Sequence, residues 1–297
     1  MLLGRGEASP LPEGFLFEGR RYRGSFSVLP DGRVVNLVDL EEYLAGVVPA
    51  EMEPSWPAAA LQAQAICSRG YVLVRSEPNR PYDLVPSELD QVYRGVASER
   101  PASTAAVRAT SGQVLRFGNG FAQIAYSSCC GGYTESSAAA WGGTRLPYLE
   151  ARLCPYCTAS PHYRWRSALD AQRLIEVTGR IAPLVGSLRG VSFIEPDRSG
   201  RSREVELSGS TGSSTFPAAH FRIVFGARRI PSLLIRRQAA LPPLSSSQAF
   251  TGLSIEGRGL GHGVGLCQWG ARGYALEGGS AAEILGFYFV GTSIGRV

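Results

Sequence analysis

The chain has 297 residues, 44 % of them hydrophobic, and a formal net charge of +5 at neutral pH. That is enough for one large domain or two modest ones around a real core, and no apolar run approaches the roughly 18 to 20 residues of a membrane helix. All 30 basic residues are arginine, which excludes a Walker phosphate loop, Schiff-base catalysis and a Ser-x-x-Lys nucleophile, because each needs a lysine amine.

The positive charge suits an anionic polymer but is spread along the chain. Its one concentration, Arg228, Arg229, Arg236 and Arg237, reads as a solvated face rather than a nucleic-acid stripe, so no nucleic-acid partner is expected. Met1 to Pro10 contains no apolar stretch of 7 to 15 residues and does not read as a signal peptide.

In chain order, residues 15 to 38 alternate as β-structure: 15–17, 23–28 and 34–38, with Pro30-Asp-Gly32 as a hairpin turn. Leu40, Tyr43, Leu44 and Val47 then fall on one helix face, and Pro49 is expected to end that helix. A second helix is expected from Pro57, capped by Ser55 or Trp56, with Leu61, Ala65, Ser68 and Val72 along one side. Glu51 would sit in the turn between them. Beside an apolar wall such a carboxylate suits general acid/base chemistry, although a position near a helix start favours its charged form, and burial must then win.

A helix is predicted over 103–109, followed by a hairpin of 113–117 and 121–126 across Gly118-Asn-Gly120. Residues 128 to 164 carry few periodic signals and four of the six cysteines, and such a loop needs a staple to be ordered. From 168 to 237 the pattern becomes a helix around 171–177 and strands at 191–194, 204–207 and 221–224. Residues 241–247 have linker composition. Ser280 to Glu283 spells a capping box for a short helix through Leu285.

Cys154 and Cys157 have the two-residue gap that lets two thiolates reach one metal. With Cys130 and His162 they make a tetrahedral set for structural zinc. Disulfides or free thiols and a Cys-x-x-Cys redox pair are the competing readings, and a Cys/His hydrolase pairing Cys129 or Cys130 with His162 is a further alternative. Cys67 and Cys267 read as small buried residues. The glycines at 257, 259, 261, 263 and 265 alternate strictly; this is not a dinucleotide fingerprint but an extended, side-chain-free backbone that a ligand or another strand can approach closely. His262 in its midst is a candidate to bind substrate or orient Glu51.

The stretch from Leu40 to Tyr71, with its Val-Val-x-x-Glu-Met turn and Gln-Ala-rich helix carrying Arg69, resembles the SpoIID/LytB family. So do Asp90-Gln-Val-Tyr93, Ser127 to Glu135, Pro147-Tyr-Leu149 and Gly257 to Ala271, in the family's order. The resemblance implies a lytic transglycosylase that cleaves the MurNAc–GlcNAc β-1,4 bond of peptidoglycan, with Glu51 as its single acid/base. Arg69, Ser127, Ser128, Thr134, His262, Gln268 and Tyr288 would then be substrate-binding. Its second branch gives the runner-up reading, a non-catalytic, peptidoglycan-binding amidase enhancer of the LytB type for which a cell-wall amidase would be a partner, and in either case an extracytoplasmic location. The expected fold is α+β: a mixed β-sheet core, a helical hairpin carrying the acid, and a smaller inserted subdomain. The expected boundaries are a tail at 1–14, the catalytic domain at 15–165 and 248–297, and the insertion with its linker at 166–247.

Overall fold

A computed structural model describes residues 1–87, 89–181, 185–241 and 250–297. The architecture is α+β, built as two compact units, Met1–Ala125 with Tyr274–Val297 and Tyr126–Gly273. No helix among the described residues is long and apolar enough to cross a membrane. The linker reading at 241–247 falls almost wholly outside the described residues.

The first unit opens on two small antiparallel sheets. One orders Leu2–Arg5, Arg33–Leu37 and Ser25–Val28, and the other Ala8–Pro10, Phe15–Phe17 and Arg20–Tyr22. Helix α1, Leu40–Glu51, begins where the Asp39 carboxylate accepts from the amides of Glu41 and Glu42 at 2.8 and 3.3 Å, which satisfies two of the first turn's free donors. It does not end at Pro49. A proline removes one N–H and crowds the carbonyl four residues back, but here only one turn remains, and the Met52 amide still closes on Val48 O at 2.9 Å. Glu51 is therefore the last helical residue and not a turn residue before the next helix. The carbonyl dipoles at that end repel negative charge, so the objection from a helix start does not arise.

Helix α2, Ala58–Arg75, starts at Pro57, which occupies the cap position without a side-chain bond; neither Ser55 nor Trp56 caps it. Its Leu61, Ala65 and Ser68 are buried as the pattern predicts. Helix α3, Pro101–Ala109, follows, and then an antiparallel sheet in which Gln113–Phe117 lies between Ser293–Arg296 and Gly120–Phe121. The helix Ala281–Tyr288 packs on α2 and carries the expected capping box of Ser280 and Glu283.

Arg69 ties these pieces together. Its side chain is fully buried. Nε and Nη2 donate to the two Glu41 carboxylate oxygens at 2.8 and 2.7 Å, Nη1 donates to Gln113 O at 2.9 Å, and Nη2 also reaches Val107 O at 3.4 Å. One guanidinium thus joins α1, α2, α3 and the strand after α3, and its carboxylate partner is Glu41 rather than Glu51.

In the second unit, Gly252–Gly257 is the central strand between Trp165–Asp170 and Ile235–Ala240. A second sheet orders Leu188–Pro196, Ser202–Gly209 and Ser213–Pro217. Leu169, Val191, Phe193, Val205, Leu207, Phe221 and Ile255 are among the residues of its core. The segment 221–224, read as a strand, is helical within Ala218–Phe225. Ala218 and Phe221 are its buried residues, Ile223 is 76 % exposed, and Phe221 stacks on Phe225 at 4.5 Å; the period is that of a helix face, closed by Gly226 at φ 82°. The predicted 121–126 strand is two short pieces, Gly120–Phe121 and Tyr126–Ser127.

Removing one partner of a buried ion pair leaves the other charge uncompensated, which costs about 3 to 5 kcal/mol. Glu41→Gln is expected to lower the stability of the first unit by about 3 kcal/mol, read from urea unfolding. The solvent-exposed pair Arg166–Glu256 is expected to contribute less than about 1 kcal/mol by the same measurement. A Glu41→Gln loss as small as that of the exposed pair would show that Arg69 is not the anchor described.

Candidate functional site

Glu51 is half-buried at the end of α1, where its Oε1 accepts from the Val92 amide at 3.4 Å. Glu53, two residues on, is exposed. Val92 belongs to the segment Asp90–Tyr93, whose members each grip a helix. Gln91 is fully buried, accepts from Tyr43 Oη at 3.0 Å and donates to Ser68 O at 3.3 Å. Tyr93 packs against the Tyr43 ring at 4.8 Å and against Gly46, where a Cβ would lie 2.6 Å from its ring. Asp90 accepts from Tyr71 Oη at 3.1 Å and from the Val85 amide at 2.9 Å, and pairs with Arg75 at 3.2 Å. Burial raises the phenol pKa values of Tyr43 and Tyr71; the Arg75 guanidinium opposes this at Tyr71, and the charges of Glu51 and Asp90 act in the raising direction at both. Tyr43, Tyr71, Asp90 and Gln91 were not picked out as site residues from sequence, although the Asp90-Gln-Val-Tyr93 block was the available signal.

Arg69 and Tyr288, proposed from sequence as substrate contacts, are in this unit and buried, at 0 % and 2 % exposure. In the second unit Ser127, Thr134 and Gln268 are also buried, while Ser128 and His262 keep part of their surface open. Ser127 Oγ accepts from the Gly263 amide at 3.2 Å, and Thr134 Oγ1 accepts from the Arg152 amide at 2.9 Å. The His262 Nδ1 accepts from the Val264 amide at 3.0 Å, and the ring also bonds the Tyr126 backbone. Burial, helped by Arg201 and Arg222, lowers its pKa to about 4. The imidazole is neutral at physiological pH, and Trp141 sets its ring edge-on to it at 5.0 Å.

The alternating glycines do accept a close neighbour, and it is the chain itself. A Cβ on Gly259 would lie 2.6 Å from Cys129 O, and one on Gly263 would run into the Arg201 guanidinium. Leu260 and Cys129 exchange backbone hydrogen bonds at 2.8 and 3.1 Å across this approach.

Four buried cysteines, Cys130, Cys154, Cys157 and Cys267, bring their Sγ atoms within 4.8 Å of one another. Cys130 and Cys157 are 3.6 Å apart, and no cysteine is in a disulfide. Cys267 is a member where the spacing pointed to His162, and it is not merely a small core residue. The donor set fits a soft, thiolate-binding metal. Amides of Cys130 and Gly270 donate to Cys267 Sγ at 3.2 and 3.3 Å, and hydrogen bonds from the Cys129 and Cys130 thiols bring the Cys157 pKa down to about 4.

Sequence reasoning also missed a buried polar clamp. Arg201 is 4 % exposed; Nη1 donates to Tyr133 O at 3.0 Å and Nη2 to Cys130 O at 2.8 Å, so it holds both ends of the Gly131-Gly132 turn. Beside it Ser199 Oγ lies 2.6 Å from Glu135 Oε2 and 2.7 Å from Asp197 Oδ1. A hydroxyl has one proton to donate, so bonding to both carboxyl groups requires one of them to bring its own. Glu135 is that one: burial, and then the hydrogen-bonded Asp197, raise its pKa to about 7, whereas for Asp197 the bonds from Glu135, Ser199 and Arg201 outweigh burial and hold its pKa low.

Residues 31–117 match the sequence profile of the SpoIID family, described as Stage II sporulation protein. An uncharacterised protein of Brachyspira hyodysenteriae is 30 % identical over 288 residues, an alignment covering 95 % of this chain and 74 % of that protein. The chain belongs to the SpoIID family. It is also similar to the Stage II sporulation protein D of Bacillus subtilis, 26 % identical with 88 % of this chain and 75 % of that protein covered. The amidase enhancer of the same organism is 27 % identical over 84 % of this chain, which spans 40 % of that longer protein. Glu51, its phenols and the Asp90–Tyr93 segment all lie inside the family match.

A proton held by Glu135 in the folded state contributes stability that is fully present below about pH 4.5 and lost as pH rises through about 7. Glutamine at this position does not titrate. The melting temperature of the wild type is therefore expected to fall relative to that of Glu135→Gln as pH rises from 4.5 to 7.5. Parallel melting curves across that range would contradict the shared proton.

Proposed function

We propose that this protein is a peptidoglycan lytic transglycosylase acting outside the cytoplasm, with Glu51 as its one general acid/base. The observation that carries the reading is the placement of Glu51: a half-buried carboxyl at the end of α1, accepting from the Val92 amide of the segment that packs on α1 and α2, in the stretch that matches the family. In the proposed reaction the Glu51 carboxyl donates its proton to the glycosidic oxygen as the MurNAc–GlcNAc bond breaks. The resulting carboxylate takes the proton of the muramoyl C6 hydroxyl as that oxygen closes a 1,6-anhydro ring. One residue thus serves as acid and then base, where ordinary glycosidases divide the work between two carboxylates.

Peptidoglycan incubated with the purified protein is expected to yield anhydromuropeptides by mass spectrometry. Glu51→Gln, which keeps the shape and removes the proton, should lower the rate by about 10² to 10⁴. Cleavage at near wild-type rate by that variant would pass the role to another acid, Glu53 first. The similarity to an amidase enhancer favours a second reading, a non-catalytic glycan-binding partner of a cell-wall amidase. It would show as no anhydro product from the wild type and faster amidase turnover in its presence.

We further propose that Cys130, Cys154, Cys157 and Cys267 hold one zinc ion. Four thiolates leave no open position for a substrate, so the role is structural. Elemental analysis is expected to give about one zinc per chain. Cobalt substitution should give the intense near-ultraviolet absorption of a four-thiolate site, weakened by Cys267→Ser and unchanged by His162→Ala. The reverse pattern would restore His162 as the fourth ligand.

A further inference from the structure

Trp141 is 58 % exposed, whereas Trp56, Trp165 and Trp269 are each partly buried. It is nevertheless held in place. It ends the short helix Ser137–Trp141, where the Ser136 hydroxyl accepts from the Ala139 amide at 3.2 Å at the start and the Gly142 amide donates to Ala138 O at 2.9 Å at the end. The Ser137 amide docks this helix on Leu149 O at 3.0 Å. The indole then meets the His262 ring edge-on at 5.0 Å. That imidazole is itself fixed, because its Nδ1 takes the Val264 amide at 3.0 Å while the ring also bonds the Tyr126 backbone. Fixing an exposed side chain costs rotamer freedom, and burial returns little of it here.

Beside the ring the surface is open and polar. Residues 141–145, Trp-Gly-Gly-Thr-Arg, are all exposed. Gly142 and Gly143 have φ of 74° and 79°, and a Cβ on either would meet nothing within 4 Å. A protein partner that anchors on a tryptophan needs a water-excluding surround, in an interface of roughly 800 Å² per side, and this flank offers glycine, Thr144 and Arg145 instead. A pyranose asks for less: one electron-rich aromatic face for the C–H bonds on one side of the sugar ring, with its hydroxyl and amide groups left at the polar rim. We infer that Trp141 is a glycan-binding residue, the platform of a subsite in the second unit on which an N-acetylhexosamine ring of the peptidoglycan strand stacks. The inference takes its ligand class from the peptidoglycan reading. It holds for a cleaving enzyme and for a non-catalytic glycan-binding protein alike.

The test uses the full chain carrying Glu51→Gln, so that glycan is bound without being consumed, and a β-1,4-linked N-acetylglucosamine hexamer as the probe, with binding read by calorimetry. Adding Trp141→Ala is expected to weaken binding about five- to tenfold, and Trp141→Tyr, which keeps an aromatic face, to recover most of the loss. Ile223→Ala removes a side chain that is 76 % exposed on the helix Ala218–Phe225 of the same unit and should change binding by less than about twofold. A second measurement needs no substitution at Trp141: the nitrogen-15 signal of its indole should shift during the titration and saturate at the calorimetric midpoint. No binding of the hexamer, equal binding by Trp141→Ala, an equal loss in Ile223→Ala or an indole signal that stays still overturns the inference. If the wild type releases anhydromuropeptides alongside any of those results, the lytic reading stands and this inference alone falls. A wild type that forms no anhydro product yet binds the hexamer through Trp141 overturns the lytic reading and leaves the inference standing.

Discussion

A buried guanidinium sets the terms for the first unit. Arg69 has no access to water, and a charge in that state persists only if its donors are met and a carboxylate faces it. Glu41 does this with two oxygens, and the same Oε1 also accepts from the Gly112 amide at 3.2 Å. Because Glu41 lies in the first turn of α1 and Arg69 two-thirds of the way along α2, the pair fixes the register of one helix against the other. Gln113 O and Val107 O then bring α3 and its following strand to the same point. The geometry of Glu51, ten residues on from Glu41 and at the far end of α1, follows from that fixed register.

The far end of α1 is consequently a rigid platform. Asp90–Tyr93 crosses it using side chains that are polar and buried, Gln91 above all, and buried polar groups specify one arrangement because any other leaves them unpaired. Tyr93 in turn fills the space that Gly46 leaves. An acid that must meet a glycosidic oxygen within hydrogen-bond reach gains from such a mounting, since misplacement by about 1 Å can cost on the order of 100-fold in rate.

Local rules read the first unit well. Alternation found the strands around 15–17 and 33–37, apolar spacing found α1 and α2, and the Ser280–Glu283 box found the last helix. Where reading failed, a tertiary term decided. Pro49 is a helix breaker by rule, yet one turn from the end it forfeits little. Residues 221–224 look like a strand over four positions and become a helix when Ala218 and Phe225 are counted, with Gly226 as the overlooked stop signal. Arg69 pairs with Glu41, 28 residues away, although Glu51 is nearer in sequence, and only packing decides between them. Cys267 lay 110 residues from the Cys-x-x-Cys pair and inside a motif whose glycines drew attention from it. Spacing cannot report a ligand delivered by a different element.

The second unit answers the same need for order by other means. Its segment from Ser127 to Tyr163 has little regular structure to hold it, so its conformation depends on cross-links. One is the cysteine cluster, in which Cys130 from the Gly-Gly turn meets Cys154, Cys157 and Cys267. The other is Arg201, which reaches from the hairpin turn after Pro196 to the carbonyls on either side of the Gly131-Gly132 turn. Gly263 has no side chain where the guanidinium passes, and this accounts for one of the alternating glycines without a ligand. The two cross-links share Cys130: its sulfur belongs to the cluster and its carbonyl to the arginine. The charge of Arg201 is balanced by the Glu135–Asp197 pair, which carries one negative charge while it shares a proton and two when it does not. Cluster, clamp and carboxyl pair therefore form one continuous polar network, joined from Glu135 through Ser199 and Arg201 to Cys130 O.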